Sequence, residues 1–429
     1  MICENIQSID GKLYFAGMNT IPLVKKYGTP LYLMDEDKIR ENCRTYKNAL
    51  NDCFENFVVL YASKACSFKR MYEIMKEEGM GIDVVSSGEI YTALRAGFPL
   101  NKAYFHSNNK TDEDIIFAME NSVGFFVVDN FDELDAIERI AGKFKRKQKI
   151  LLRLTPGIDT HTYEAVNTGK VDSKFGTAIE TGQAEEIVRY TLKLKYIELC
   201  GFHCHIGSNV FDSDTFFRSS EIMLDFMDDM RNKYNFVAKQ LDLGGGYGVR
   251  YLESDPYIDI ADNIKKVYEV VKSKTESLNY PMPTIIMEPG RSIVADAGLT
   301  LYKVGTVKKI TGYKNYVSVD GGMGDNPRFA LYQSPYTIYM ANKMNEEKNF
   351  NCSVVGRFCE SGDVIQEDVV LPEPERDDIL AVATTGAYNY SMASNYNRVA
   401  RPPVVMISDK KDYVAVRRET LEDLTVNDL

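Results

Sequence analysis

The chain has 429 residues, 44% of them hydrophobic and 26% charged, which is the profile of a folded protein large enough for two cores rather than a disordered one. Its net charge of −11 argues against non-specific binding to nucleic acid or an anionic membrane surface. No run approaches the roughly 20 apolar residues of a membrane span, and the N-terminus lacks the basic and apolar regions of a secretory leader. The eight cysteines have no CxxC spacing and read as free thiols of a reducing cytoplasm.

Lys12-Leu13-Tyr14-Phe15 is strand-like. From residue 57 onward, short apolar runs rich in β-formers alternate with longer segments of helical period. The runs are 57–62, 82–85, 103–106, 125–128, 150–154, 198–203, 240–243 and 284–288. In 259–278, Ile260, Ile264, Val267 and Val271 share one helical face. This rhythm predicts an α/β fold built on a (β/α)8 TIM-like barrel. A doubly wound open sheet is the alternative. Past Glu288 the pattern changes to Val/Ile/Tyr/Thr-rich runs with Gly-containing turns, which predicts a C-terminal β-sandwich or β-barrel domain. The expected division is a barrel over 31–292 and a β domain from 1–30 with 293–429.

In such a barrel the chemistry belongs at the C-terminal ends of the strands. Those positions carry Lys64, Asp83 with Ser86, His106, Asp129, Arg153, His203 with His205, Gly244-Gly245-Gly246, and Glu288 with Arg291. Three of the four histidines fall there. Lys64, just past an apolar strand, is a candidate Schiff-base former if its surroundings are dry enough to lower its basicity; a solvated loop lysine is the plain reading. Gly244-Gly245-Gly246 can close backbone N–H groups on a phosphate or simply make a tight turn. Glu288-Pro289-Gly290-Arg291 adds a cation on the neighbouring loop. His203-Cys204-His205 on a strand puts two imidazoles on one face. A metal site there lacks further ligands at suitable spacing, and an imidazole lying against an aromatic cofactor is the other reading.

The motifs jointly resemble those of the diaminopimelate decarboxylases, within the ornithine-decarboxylase-like and alanine-racemase-like group of enzymes that use pyridoxal 5'-phosphate (PLP). They are Tyr61-Ala62-Ser63-Lys64-Ala65, Gly81-Ile82-Asp83-Val84-Val85-Ser86-Ser87-Gly88-Glu89, Ser173-Lys174-Phe175-Gly176, His203-Cys204-His205-Ile206-Gly207-Ser208 and Glu288-Pro289-Gly290-Arg291. Further on come Arg328-Phe329-Ala330-Leu331-Tyr332, Cys359-Glu360-Ser361 and Gly386-Ala387-Tyr388. Cys66 and Phe329 stand where many members have Asn and Pro.

The resemblance implies that Lys64 forms the Schiff base with PLP, His205 stacks on its ring, and Glu288 pairs with the ring nitrogen. It further implies that Ser208, Gly244, Gly245, Gly246, Gly290, Arg291 and Tyr388 hold the phosphate end. Cys359 is then the proton donor, a role that suits a thiol still protonated at neutral pH. Arg291, Arg328, Tyr332, Glu360 and Tyr388 bind the substrate, with the arginine forks gripping its second carboxylate. The implied activity is decarboxylation of meso-diaminopimelate at its D-centre to L-lysine. The implied assembly is a cytoplasmic homodimer with shared sites, without nucleic-acid, membrane or metal partners. A decarboxylase of D-ornithine, D-lysine or an amino-acid conjugate is the first rival. An inactive homologue that binds a protein partner is the second, and an amino-acid racemase the third.

Overall fold

The computed structural model describes residues 1–158 and 173–429. The chain separates into two compact units: residues 42–248 with 257–292, and residues 1–41 with 249–256 and 293–429.

The first unit is the barrel. Its strands are β1 (Phe57–Ala62), β2 (Gly81–Val84), β3 (Ala103–Phe105), β4 (Phe125–Val128), β5 (Gln148–Thr155), β6 (Ile197–His203), β7 (Gln240–Asp242) and β8 (Thr284–Met287). Each pairs in parallel with the next, and β8 returns to β1, so the eight strands form a closed ring. The open-sheet alternative ends on that closure. Parallel strands covered on both faces need continuous apolar runs, and β2 and β3 are buried at every position.

Leu60, Tyr104, Val127, Leu151 and Ile286, from five different strands, form one buried cluster. Several helices begin on short polar caps just past the strand ends. Ser86 accepts from Glu89 N and Asn130 from Glu133 N, while Thr111 and Asp114 close a capping box. These caps stop each strand and turn the chain outward, leaving the strand ends to carry polar side chains. Ile264, Val267 and Val271 are buried on Ile260–Leu278, and Asn279 ends that helix in the left-handed region.

The second unit is built on a sheet with two covered faces. Along Gly298–Lys309, Leu299 and Leu301 enter one buried cluster while Tyr302 and Val304 enter the other. Ala381 and Ala383 likewise alternate with Leu380 and Val382. Leu31–Asp35 belongs to this sheet, antiparallel to Gly298–Lys309 and parallel to Val404–Ser408. The expected boundary after residue 30 therefore falls just short of a strand of the β unit. All five residues of Leu31–Asp35 are buried, so its apolar run reads the same in a barrel or a sandwich, and only the pairing separates the two. Residues 249–256 also join this unit, with Tyr251 packed on Tyr336 at 5.6 Å between ring centroids.

Candidate active site

The strand ends of the barrel converge on Glu288, which follows β8. Its Oε2 lies 3.2 Å from His203 Nε2, at the end of β6. Its Oε1 lies 2.7 Å from His106 Nε2, just past β3. The second contact is close but poorly aligned for a hydrogen bond, which leaves Oε1 without a formal partner among the described residues. Burial would raise the Glu288 carboxyl, yet the two imidazoles hold it well below the usual range. His203 is itself kept neutral by burial, pushed down to about 4. It therefore acts on Glu288 as an N–H donor rather than as a cation, with Nε2 protonated and Nδ1 bare.

Asp242, at the end of β7, completes the arrangement. Burial and the neighbouring charge of Glu288 push its carboxyl well above its ordinary range. Its Oδ1 accepts the N–H of Gly244 at 2.8 Å. Burial and mutual charge thus push the two carboxyls apart, Glu288 toward the ionised form and Asp242 toward the protonated one. Asp83 is also raised, chiefly by burial.

The glycine run crosses directly over Glu288. A Cβ on Gly245 would come within 2.1 Å of the Glu288 carbonyl oxygen, and Gly246 has φ +118 with the Gly207 carbonyl 2.1 Å from where a Cβ would stand. No side chain fits either position, so the loop can lie this close only as glycine. Gly245 N–H donates to His205 Nδ1 at 3.4 Å. That imidazole is kept neutral by burial and by the nearby positive charge of Lys64 and Arg153. His203 ends β6 and His205 lies beyond it. The two rings have separate partners, Glu288 and the glycine loop, in place of the one shared face expected of a longer strand. Arg291 Nη2 donates to Ser208 Oγ at 3.0 Å, bringing together two residues expected at the phosphate.

Lys64 sits in the single turn Ser63–Ala65 after β1. Its neighbours Ser63 and Ala65 are buried, but its own side chain is exposed on the single chain. The drying expected around its amine is not supplied by these residues. Its charge bears on Asp83, Glu89 and His205. In the loop after β5, Gly176 N–H donates to Asp129 Oδ1 at 2.8 Å, and the Arg153 guanidinium lies 4.4 Å from the centre of the Phe175 ring. This accounts for the Ser173–Gly176 motif as a bracket across two strand ends.

In the β unit, Arg328 and Tyr332 occupy the first and last positions of the helix Arg328–Tyr332. Arg328 is 4% exposed. Nη1 donates to Tyr336 OH at 3.1 Å, and the guanidinium lies 4.5 Å from the Tyr251 ring centre. None of the ion pairs found among the described residues involves this arginine. The ring faces stabilise this buried cation, and no carboxylate among the described residues forms an ion pair with it. Cys359 and Glu360 lie exposed on the loop between Phe350–Val355 and Val364–Leu371. Cys359 N–H donates to Asn397 Oδ1 at 2.9 Å. Tyr388 is half-buried with φ 61.

The chain is 44% identical over 423 residues to a diaminopimelate decarboxylase of Bacillus subtilis, covering 99% of this chain and 96% of that one. This chain belongs to the diaminopimelate decarboxylase family. A Staphylococcus aureus member is 40% identical, with 98% of each chain covered. The pyridoxal-dependent decarboxylase, pyridoxal binding domain family matches residues 36–295. Among solved structures, a diaminopimelate decarboxylase from M. jannaschii in complex with L-lysine superposes with a TM-score of 0.92 at 32% identity, covering 100% of this chain and 98% of that one.

The site suits the cofactor of this family. Glu288 offers a buried, ionised oxygen without a formal hydrogen bond among the described residues, against a loop kept free of side chains. The donor atoms of His106, His203 and Glu288 all lie within 4.8 Å of one another, a spacing that a metal could also use. The adjoining glycine loop and the Arg291–Ser208 pair suit a phosphorylated ring instead. The Asp242–Glu288 division and the His106 contact carry no role in the sequence reading. Asp242 stands two residues before the glycine run, and nothing local in the sequence ties it to Glu288.

Proposed function

We propose that the chain removes CO2 from the D-configured centre of meso-2,6-diaminopimelate to give L-lysine, with PLP held at the barrel mouth. The single observation that carries the choice of substrate is the buried Arg328, which has aromatic neighbours and a phenolic acceptor but no ion-pair partner among the described residues. A diaminopimelate carries a second carboxylate to meet it, whereas a lysine or ornithine does not.

Bound there, PLP supplies the electron sink for the pair left behind when the carbon–carbon bond to CO2 breaks. The protein's own groups do the rest. Lys64 would supply the amine that anchors the cofactor, and Glu288 would accept an N–H from its ring nitrogen. Ser208, Gly244, Gly245, Gly246, Gly290, Arg291 and Tyr388 would hold the phosphate end, and His205 would lie against the ring. Arg328 and Tyr332, with Arg291 and Tyr388, take the distal carboxylate, and Glu360 takes an amino group. The Cys359 thiol gives its proton to the carbon that has lost CO2 and regains one from solvent.

The protein acts as a cytoplasmic homodimer in which Cys359 and Glu360 serve the partner's site. The exposure of both residues on the single chain supports that arrangement, and eight free cysteines suit a reducing compartment. The test is CO2 release by purified, PLP-loaded protein offered meso-diaminopimelate, D-lysine, L-lysine or L-ornithine. Release from diaminopimelate alone, with L-lysine as product, is the expected result. Release only from a monocarboxylate overturns the role of Arg328.

A further inference from the structure

The loop that carries Cys359 and the segment that leads into Arg328 meet at one buried carboxylate. Asp363 is 4% exposed. Its Oδ1 accepts the N–H of Met323 at 2.6 Å, and its Oδ2 accepts that of Phe358 at 2.7 Å. Met323 lies in the turn before Arg328, and Phe358 directly precedes Cys359. Backbone bonds from Arg357 N to Gly321 O and from Gly356 N to Asp363 O, each 3.0 Å, run alongside.

Two glycines leave room for this carboxylate. A Cβ on Gly322 would come within 2.3 Å of Asp363 Oδ1, and one on Gly356 within 2.2 Å of Oδ2. An ionised group is costly to bury, and its charge strengthens both bonds. A carboxylate is also the side chain of this size with two acceptor oxygens. Asparagine offers one and sets its NH2 against the other N–H.

We propose that Asp363 is a positioning residue for the reaction, a two-toothed clamp that fixes at once the Cys359 segment, which serves the partner's site, and the segment bearing Arg328, which serves the chain's own. The inference rests on the roles proposed above for those two residues. Releasing either tooth lets the thiol or the guanidinium shift, and a misplacement of about 1 Å costs on the order of 100-fold in rate.

The test is Asp363→Asn in the PLP-loaded protein. Three readouts are taken: kcat and KM for meso-diaminopimelate, cofactor absorbance, and the rate at which iodoacetamide alkylates Cys359, followed by peptide mass spectrometry. The expected result is a fall in kcat/KM of about tenfold or more with cofactor absorbance retained, together with a change of about threefold or more in Cys359 alkylation. Unchanged alkylation overturns the proposal whatever the activity does. So does a variant that loses cofactor but keeps the parent kcat per loaded site, because that marks a scaffold role. Should the parent itself fail to decarboxylate diaminopimelate, the functional reading falls, and the clamp is judged on alkylation alone. If Asp363→Asn does not fold, Asp363→Ser takes its place, since it is smaller and offers a single acceptor oxygen. It is held to the same two outcomes.

Discussion

Glu288 and Arg328 are two buried charges held in different ways. Glu288 is flanked by two imidazoles that favour its ionised form, while the Asp242 carboxyl beside it is pushed toward the protonated form. Arg328 sits against rings and one hydroxyl, with no ion-pair partner among the described residues. Arg328→Ala should raise KM for meso-diaminopimelate by about 2–5 kcal/mol, roughly 30-fold or more, and leave the cofactor absorbance unchanged. Steady-state kinetics and an absorbance scan check both halves; loss of the cofactor signal would mean that the residue serves the cofactor instead.

His203 gives a prediction with a definite sign. Burial keeps the folded imidazole neutral down to about 4, whereas the unfolded chain takes the proton near its ordinary 6.5. Within that window the unfolded state binds more protons, so this contribution to stability is full above 6.5 and is lost as the pH falls toward 4. The slope is up to about 1.4 kcal/mol per pH unit. Asp242, shifted upward, contributes with the opposite sign, so the comparison has to be made against a variant. Urea unfolding across this window should show the parent losing more stability than His203→Gln. Parallel curves would show that the imidazole is not held neutral.

At the scale of elements, the barrel strands were legible because each must be apolar on both faces, and such runs stand out from the helical segments between them. Leu31–Asp35 was not legible as part of the β unit for the same reason. Five buried residues satisfy either neighbourhood, and the strand's place is decided by pairing with residues more than 260 positions away. Leu151 tests the barrel as a packed core. It is fully buried against residues from four other strands. Leu151→Ala should cost about 2–5 kcal/mol in denaturant unfolding. A cost near zero would mean that the interior relaxes around the loss.

At the scale of the whole molecule, the proposed dimer predicts complementation. Lys64→Ala and Cys359→Ala should each be inactive alone. When their subunits are mixed and allowed to exchange, sites that pair an intact lysine with the partner's intact thiol should restore about one quarter of the parent activity. No recovery, with exchange verified by mass, would place the lysine and the thiol of one working site on the same chain.

The sequence by itself determined the repeat of the barrel, the residues at its strand ends and the motifs that resemble the family. All three depend on short-range pattern: apolar runs, caps, and glycines where the backbone must lie close. Tertiary structure decided which of those residues answer one another. His106 and His203 reach Glu288 because β3, β6 and β8 belong to one closed ring, and the carboxylate of Asp363 fills the space left by Gly322 and Gly356. Such contacts are set by packing between residues far apart in the chain, and no local period records them.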